Sequence, residues 1–267
     1  MPNYYAHLQF GDQVLSALPL SLCASLEEEK DAYTLGQYGP DPLYFYRPVR
    51  GGAVRAVGRA AHRQSARPLM ERCRQAIEAG KPFAIGYAAG LLCHFALDSR
   101  CHAYISTLEE RGKIVHTSIE AEFDRFLMVR SGLNPTRETP MPVPNLPQSF
   151  DELLEQYAYP GIKGYQYREG LNFFYRTSSW HTRAAERRSA ERCWNLAARV
   201  SHQAALFRDM ILKQELKDAD THRNEELLAL LQQEVPVAAE KLCAFLNGQP
   251  LDTWFDRDFR GQTFQPF

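Results

Sequence analysis

The chain has 267 residues, 45% of them hydrophobic and 24% charged, with a formal net charge of −1. That length suffices for a well-buried core, and the composition is that of a folded globular protein rather than a disordered one. Near-neutral charge argues against bulk electrostatic coating of nucleic acid. The longest apolar stretch, Phe83 to Leu97, holds two Gly and a His and falls short of the about 20 residues of a membrane span.

The chain starts Met-Pro-Asn-Tyr-Tyr-Ala-His, without the basic start and apolar run of a signal peptide. Six Cys, at 23, 73, 93, 101, 193 and 243, form no C-x-x-C pair. On a helix, Cys93 and Cys101 would stand about 12 Å apart, beyond disulfide reach. Reduced thiols and a cytoplasmic location are the expectation.

Apolar residues recur at three- and four-residue spacing over Val54–Ala79, Phe83–Leu108, Ile114–Met128, Thr182–Leu216 and Glu225–Leu246, which predicts helices. Pro68 and Pro236 are expected to break or kink the first and last of these. Thr221 with Asn224 and Glu225 reads as a helix start, and Asn247-Gly248 as a stop. Asn134 to Pro147 is too rich in proline to be helical. Alternating strand patterns are nearly absent, so the fold class is all-α. The expected organisation is one multi-helix domain over 1–267: a half at 1–130 that carries the ligand-type residues, a Pro-rich linker at 131–149, and a helical half at 150–267.

Five of the eight His, at 7, 62, 94, 102 and 116, fall in the first 116 residues. His94, Asp98 and His102 are spaced i, i+4, i+8, on one helical face with a drift of about 40° per step. His94 and His102 stand about 12 Å apart along the axis, whereas a Zn–N bond is about 2 Å. One ion can take His94 with Asp98, or Asp98 with His102, but not both histidines of a regular helix. As ligands, these residues imply at least two metals. His116 and Glu120 repeat the i, i+4 device, and two antiparallel helices would offer His102, His116 and Glu120 to one ion, leaving positions open. A lone His on a buried face is usually a hydrogen-bonded core residue. Five such groups buried together without an ion would leave several without partners. His181, His202 and His222 lack comparable partners and are read as structural or surface residues.

Tyr5-Ala-His7 with Phe10-Gly11, then Gly36 and Gly39-Pro40-Asp41, the single His62, H-x-x-x-D-x-x-x-H over 94–102 and H-x-x-x-E over 116–120 resemble the zinc-dependent phospholipase C family. The order agrees over roughly residues 4–130. The resemblance implies an all-helical fold of the phospholipase C and P1 nuclease type with two or three zinc ions. It assigns Asp41, His62, His94 and Asp98 to one zinc, His102, His116 and Glu120 to another, and His7 with Asp98 to a third. Secreted members complete that third site with an N-terminal Trp, whereas this chain begins Met1-Pro2. They also have a slightly longer gap between the residues resembling Asp98 and His102. Zinc lowers the pKa of bound water to about 7, and Asp41 is either a ligand or the catalytic base that deprotonates the attacking water.

The activity implied is hydrolysis of a phosphate ester, on a phospholipid headgroup or a nucleotide. The alternatives are a nuclease or nucleotidase on the same scaffold and a non-catalytic zinc-binding protein. Six Arg and no acid lie between Arg47 and Met70. Arg55, Arg59, Arg63 and Arg67 form an i, i+4 row, which is read as a solvated face pairing with acids elsewhere, such as Glu27 to Glu29, rather than as an anionic funnel. Tyr44-Phe45-Tyr46, Phe173-Phe174-Tyr175 and Trp254-Phe255 are read as core packing. Neither a transmembrane segment nor bulk nucleic-acid binding is expected, and the oligomeric state is left open.

Overall fold

The computed structural model describes residues 4–48, 50, 52–112, 115–185, 188–199, 208 and 218–264. Its elements are α1 (Tyr4–Ser16), α2 (Leu20–Glu28), α3 (Lys30–Tyr38), α4 (Pro42–Phe45), α5 (Gly52–Arg63), α6 (Arg67–Glu78), α7 (Ala84–Gly112), α8 (His116–Arg130), α9 (Phe150–Leu153), a π-helical turn (Leu154–Ala158), α10 (Gly164–Ala185), α11 (Arg188–Ala198), α12 (Asp218–Leu246) and a 3-10 turn (Thr253–Asp256). Among the described residues the sole strand-type pairing is a single bridge between Arg257 and Thr263. The fold is all-α.

The periodic segments become helices for the expected reasons, with shifted ends. Pro68 lies in the first turn of α6, where its missing N–H removes no helical bond. The long predicted element at 54–79 therefore splits into α5 and α6. Pro236 behaves differently, because α12 runs through it. That helix also begins earlier than Thr221, at Asp218, and ends where expected, with Gly248 at φ +73° and its N–H on Phe245 O at 3.1 Å. The predicted helix over 182–216 is realised in α11, while 186–187, 200–207 and 209–217 lie outside the described residues. Helices α1 to α4, α9 and the part of α10 before residue 182 have no counterpart among the predicted helices. In α3 nearly every residue from Ala32 to Tyr38 is buried, so no one-sided apolar stripe marks it.

The described residues belong to two compact units. One comprises His7–Ala103, Pro142–Phe173 and Leu230–Phe267. Its axis is α7, where Tyr87, Ala88, Ala89, Leu91, Leu92, Phe95 and Ala96 are all fully buried, a helix covered on every side. Helix α3 meets α7 through glycines. A Cβ on Gly90 would lie 2.0 Å from Tyr33 O, and one on Gly36 2.3 Å from Tyr87 O. The Pro-rich strip forms no helix, and side chains take its carbonyls: the Tyr38 hydroxyl donates to Pro142 O at 2.6 Å, and Arg168 to Leu146 O and Pro147 O at 2.9 and 2.8 Å.

The second unit comprises Met1–Ala6, Tyr104–Met141 and Phe174–Ala229. Its α8 is buried from Ile119 to Met128. The buried Asp124 carboxylate accepts the N–H groups of Tyr5 and Ala6 at 3.2 and 2.8 Å, partnering two of the first-turn donors that a helix leaves free.

Candidate metal centre

Four segments of the first unit bring ligand-type side chains together around Asp98. His7 comes from α1, Asp41 from the residue before α4, His62 from the last turn of α5, and His94, Asp98 and His102 from α7. All six are buried. Gly39 makes the approach of Asp41 feasible: its φ of +49° favours glycine, and a Cβ there would stand 2.7 Å from the His94 ring.

Asp98 is the hub. Its Oδ1 lies 3.3 Å from His7 Nε2 and 3.5 Å from His102 Nε2, and its Oδ2 lies 3.3 Å from His94 Nε2 and 3.8 Å from His62 Nε2. Each oxygen thus faces its own pair of imidazoles, in keeping with the helical spacing argument that His94 and His102 serve different ions. Asp41 Oδ1 lies 3.2 Å from His62 Nε2. Two overlapping groups are compact enough to hold an ion: Asp41 with His62 and His94, and His7 with His94 and Asp98. The His7 and His94 rings stack at 4.2 Å and 17°.

The donor set fits a metal on a further ground. His62 Nδ1 is 2.8 Å from Gly58 O, His94 Nδ1 is 2.9 Å from Gln37 O, and His102 Nδ1 is 2.9 Å from Phe259 O. A carbonyl only accepts, so each Nδ1 carries a proton, and a ring protonated there alone turns the lone pair of Nε2 towards the carboxylates. His62 Nε2, His94 Nε2 and Asp98 Oδ2 are buried without a hydrogen-bond partner. Electron pairs facing electron pairs in a buried pocket call for a cation between them. Burial and the His94 imidazole lower the pKa of His7, which favours its neutral, ligating form.

His116 and Glu120 lie in the second unit, where they pair at 2.9 Å, and Glu109 holds the other side of His116 through Nδ1 at 3.0 Å. Burial would lower His116, but Glu120 and Glu109 outweigh it and lift the pKa to about 9. His222 is exposed, 3.5 Å from Glu226, in line with a surface role. His202 and the His181 side chain fall outside the described residues.

Several participants escaped the sequence reading. The carbonyls of Gln37 and Phe259 leave no residue-type signal, and Phe259 is 157 positions from His102. Glu109 stands seven residues before His116, beyond the i, i+4 spacing that marked the other pairs. Tyr44, expected in the core, is half-buried with its hydroxyl 3.3 Å from His62 Nδ1. The other aromatics divide: Phe45, Tyr46, Phe174 and Phe255 are buried, whereas Phe173 and Tyr175 are exposed.

Two of the four arginines in the row, Arg55 and Arg67, are taken up by structural contacts, whereas Arg59 and Arg63 are exposed. Arg67 donates to Asp256, Leu251 O and Asp252 O, Arg55 to Pro48 O, and Arg47 to Glu169. The acids differ from those expected: Glu27 pairs with Lys30, and Glu29 accepts the Gly86 N–H. A cavity of about 220 Å³, lined by Val57, Gln64, Leu69, Arg72 and Tyr159 among others, includes none of the candidate ligands.

A profile of the zinc-dependent phospholipase C family matches residues 6–172, well over half of the chain. The chain belongs to that family. No curated protein and no solved structure gives a significant match. Membership supports a zinc-dependent hydrolase of phosphate esters, and the histidine–aspartate clusters suit zinc. No helix among the described residues is long and apolar enough to cross a membrane.

Proposed function

We propose that this zinc-dependent phospholipase C family member hydrolyses a phosphodiester or phosphomonoester by attack of water on phosphorus. The observation that carries the reading is Asp98, whose two oxygens face four imidazole Nε2 atoms at 3.3–3.8 Å. Asp41, His62, His94 and Asp98 would hold one zinc, and His7 with Asp98 would contribute to another. The sequence pattern adds His102, His116 and Glu120 as ligands of a further ion. When bound, zinc supplies a water of pKa about 7 and charge neutralisation for phosphate oxygens.

The chain's own groups do the rest. Gly58, Gln37 and Phe259 carbonyls fix the imidazoles in one tautomer and keep Nε2 directed inward. Asp41, whose Oδ1 lies 3.2 Å from His62 Nε2, is the catalytic base or a ligand. Six cysteines outside any disulfide suit a reducing, cytoplasmic setting.

The test combines metal analysis with substrate choice. Purified protein is expected to carry at least two zincs per chain and to release the headgroup from phosphatidylcholine analogues. Preference for single-stranded DNA or 3′-nucleotides would favour the nuclease alternative. Fewer than two zincs, or full zinc without hydrolysis of any of these, would refute the enzyme reading in favour of a zinc-binding protein.

A further inference from the structure

The family match ends at residue 172, yet one wall of the centre comes from the end of the chain. Phe259 is 1% exposed. Its ring lies 5.3 Å from His62, 5.7 Å from His94 and 5.2 Å from Phe95, tilted or edge-on to each. Its main-chain carbonyl takes the Nδ1 proton of His102 at 2.9 Å. The other two imidazoles donate to Gly58 and Gln37, both inside the matched region. His102 alone among these three depends on the C-terminal loop.

That loop is held firmly. Asp258, fully buried, accepts the N–H groups of Arg260 and Gln262 on Oδ1, both at 2.9 Å, and the Arg260 guanidinium on Oδ2 at 2.9 and 2.8 Å. Gly261 closes the turn at φ +77° and lies so close to α7 that a Cβ would fall 2.4 Å from Ser99 O. Upstream, Arg257 O accepts the Ala66 N–H at 2.9 Å, and Phe255 O the Ser65 hydroxyl at 3.0 Å, both just beyond His62. The loop therefore spans from the end of α5 to the Asp98–His102 turn of α7.

We propose that the loop 257–263 is a positioning element of the metal centre, in which the Phe259 carbonyl selects the His102 tautomer that carries its lone pair on Nε2, the ligating nitrogen, and Asp258 holds that carbonyl in place. Without it, His102 could carry its proton on Nε2 and donate to Asp98 Oδ1, 3.5 Å away. That internal hydrogen bond would compete with zinc for both groups. The Phe259 ring keeps water from the His62 and His94 rings, so the nearby charges interact in a drier medium. The proposal rests on the reading of these residues as zinc ligands.

The test uses the full chain. Nitrogen-15 NMR of the metal-free wild type is expected to show His102 protonated on Nδ1; protonation on Nε2 would overturn the proposal without any variant. Asp258→Ala is expected to mix the tautomers and weaken zinc binding by about 10- to 100-fold in chelator competition, the range for a lost outer-shell partner. Phe259→Leu keeps the carbonyl, so its tautomer should be that of the wild type, and its zinc affinity should fall less than that of Asp258→Ala. A folded Asp258→Ala protein with wild-type tautomer and zinc affinity would overturn the proposal. Wild type that binds no zinc would instead defeat the functional reading, leaving the loop's control of His102 to be judged by the tautomer alone.

Discussion

Gly90→Ala tests whether the close crossing of α3 and α7 sets the candidate metal centre. The new Cβ would lie 2.0 Å from Tyr33 O, about 1.4 Å short of an ordinary contact. It would also press on Gln37 N and Gly36 Cα at 2.9 Å. Backbone cannot swing aside like a side-chain tip, so the two helices must separate. Overpacking of this kind costs about 1–3 kcal/mol, and the upper end applies against rigid backbone. Alanine's helix propensity returns about 1 kcal/mol. The separation also threatens the 2.9 Å bond from His94 Nδ1 to Gln37 O, because a stretch of that size passes hydrogen-bond range, at about 1 kcal/mol. The expected net loss is about 3 kcal/mol, read by thermal or denaturant unfolding, with weaker zinc binding in chelator competition. Gly52→Ala, where nothing lies within 4 Å, serves as the control and should change stability by no more than about 1 kcal/mol. A Gly90→Ala protein as stable as wild type with unchanged zinc affinity would refute the argument.

Asp98→Asn keeps the shape of the hub and removes its charge; it should lower zinc content and abolish hydrolysis, and full zinc with full rate would show that Asp98 is no ligand. Burial pushes the Asp124 pKa from its ordinary 3.8 up to about 8 against the pull of two backbone N–H donors. The folded state therefore binds a proton that the unfolded state has lost, and this contribution to stability falls as pH rises from about 4 to about 8. Asp124→Asn should flatten that part of the stability profile and raise stability above pH 8, as followed by unfolding across pH; an unchanged slope would count against the buried carboxyl. Arg67→Ala removes contacts to Asp256, Leu251 O and Asp252 O and should cost about 2 kcal/mol. Arg59→Ala, on the exposed face of the same row, should stay within about 0.5 kcal/mol, and equal losses for the two would contradict the division of the row.

The i, i+4 device was legible because a helix puts such pairs on one face whatever surrounds it. His94, Asp98 and His102 needed only the pitch of α7 to imply two ions. Other features depended on chain reversals that no local pattern records. Pro68 and Pro236 read alike in sequence, but one starts α6 and the other lies within α12. Helix α3 was missed because burial on all sides erases the amphipathic stripe.

By itself, then, the sequence determined an all-helical chain and the ligand-type residues of its first half, since side-chain chemistry and helical period are local properties. Tertiary structure alone decided how they serve the centre. The Nδ1 partners are carbonyls, which every residue carries, so only folding singles out Gln37 for His94 and Phe259 for His102. The close passage of α3 past α7 likewise depends on two glycines, Gly36 and Gly90, meeting across the core. Their meaning lies in the space between helices and not in either segment.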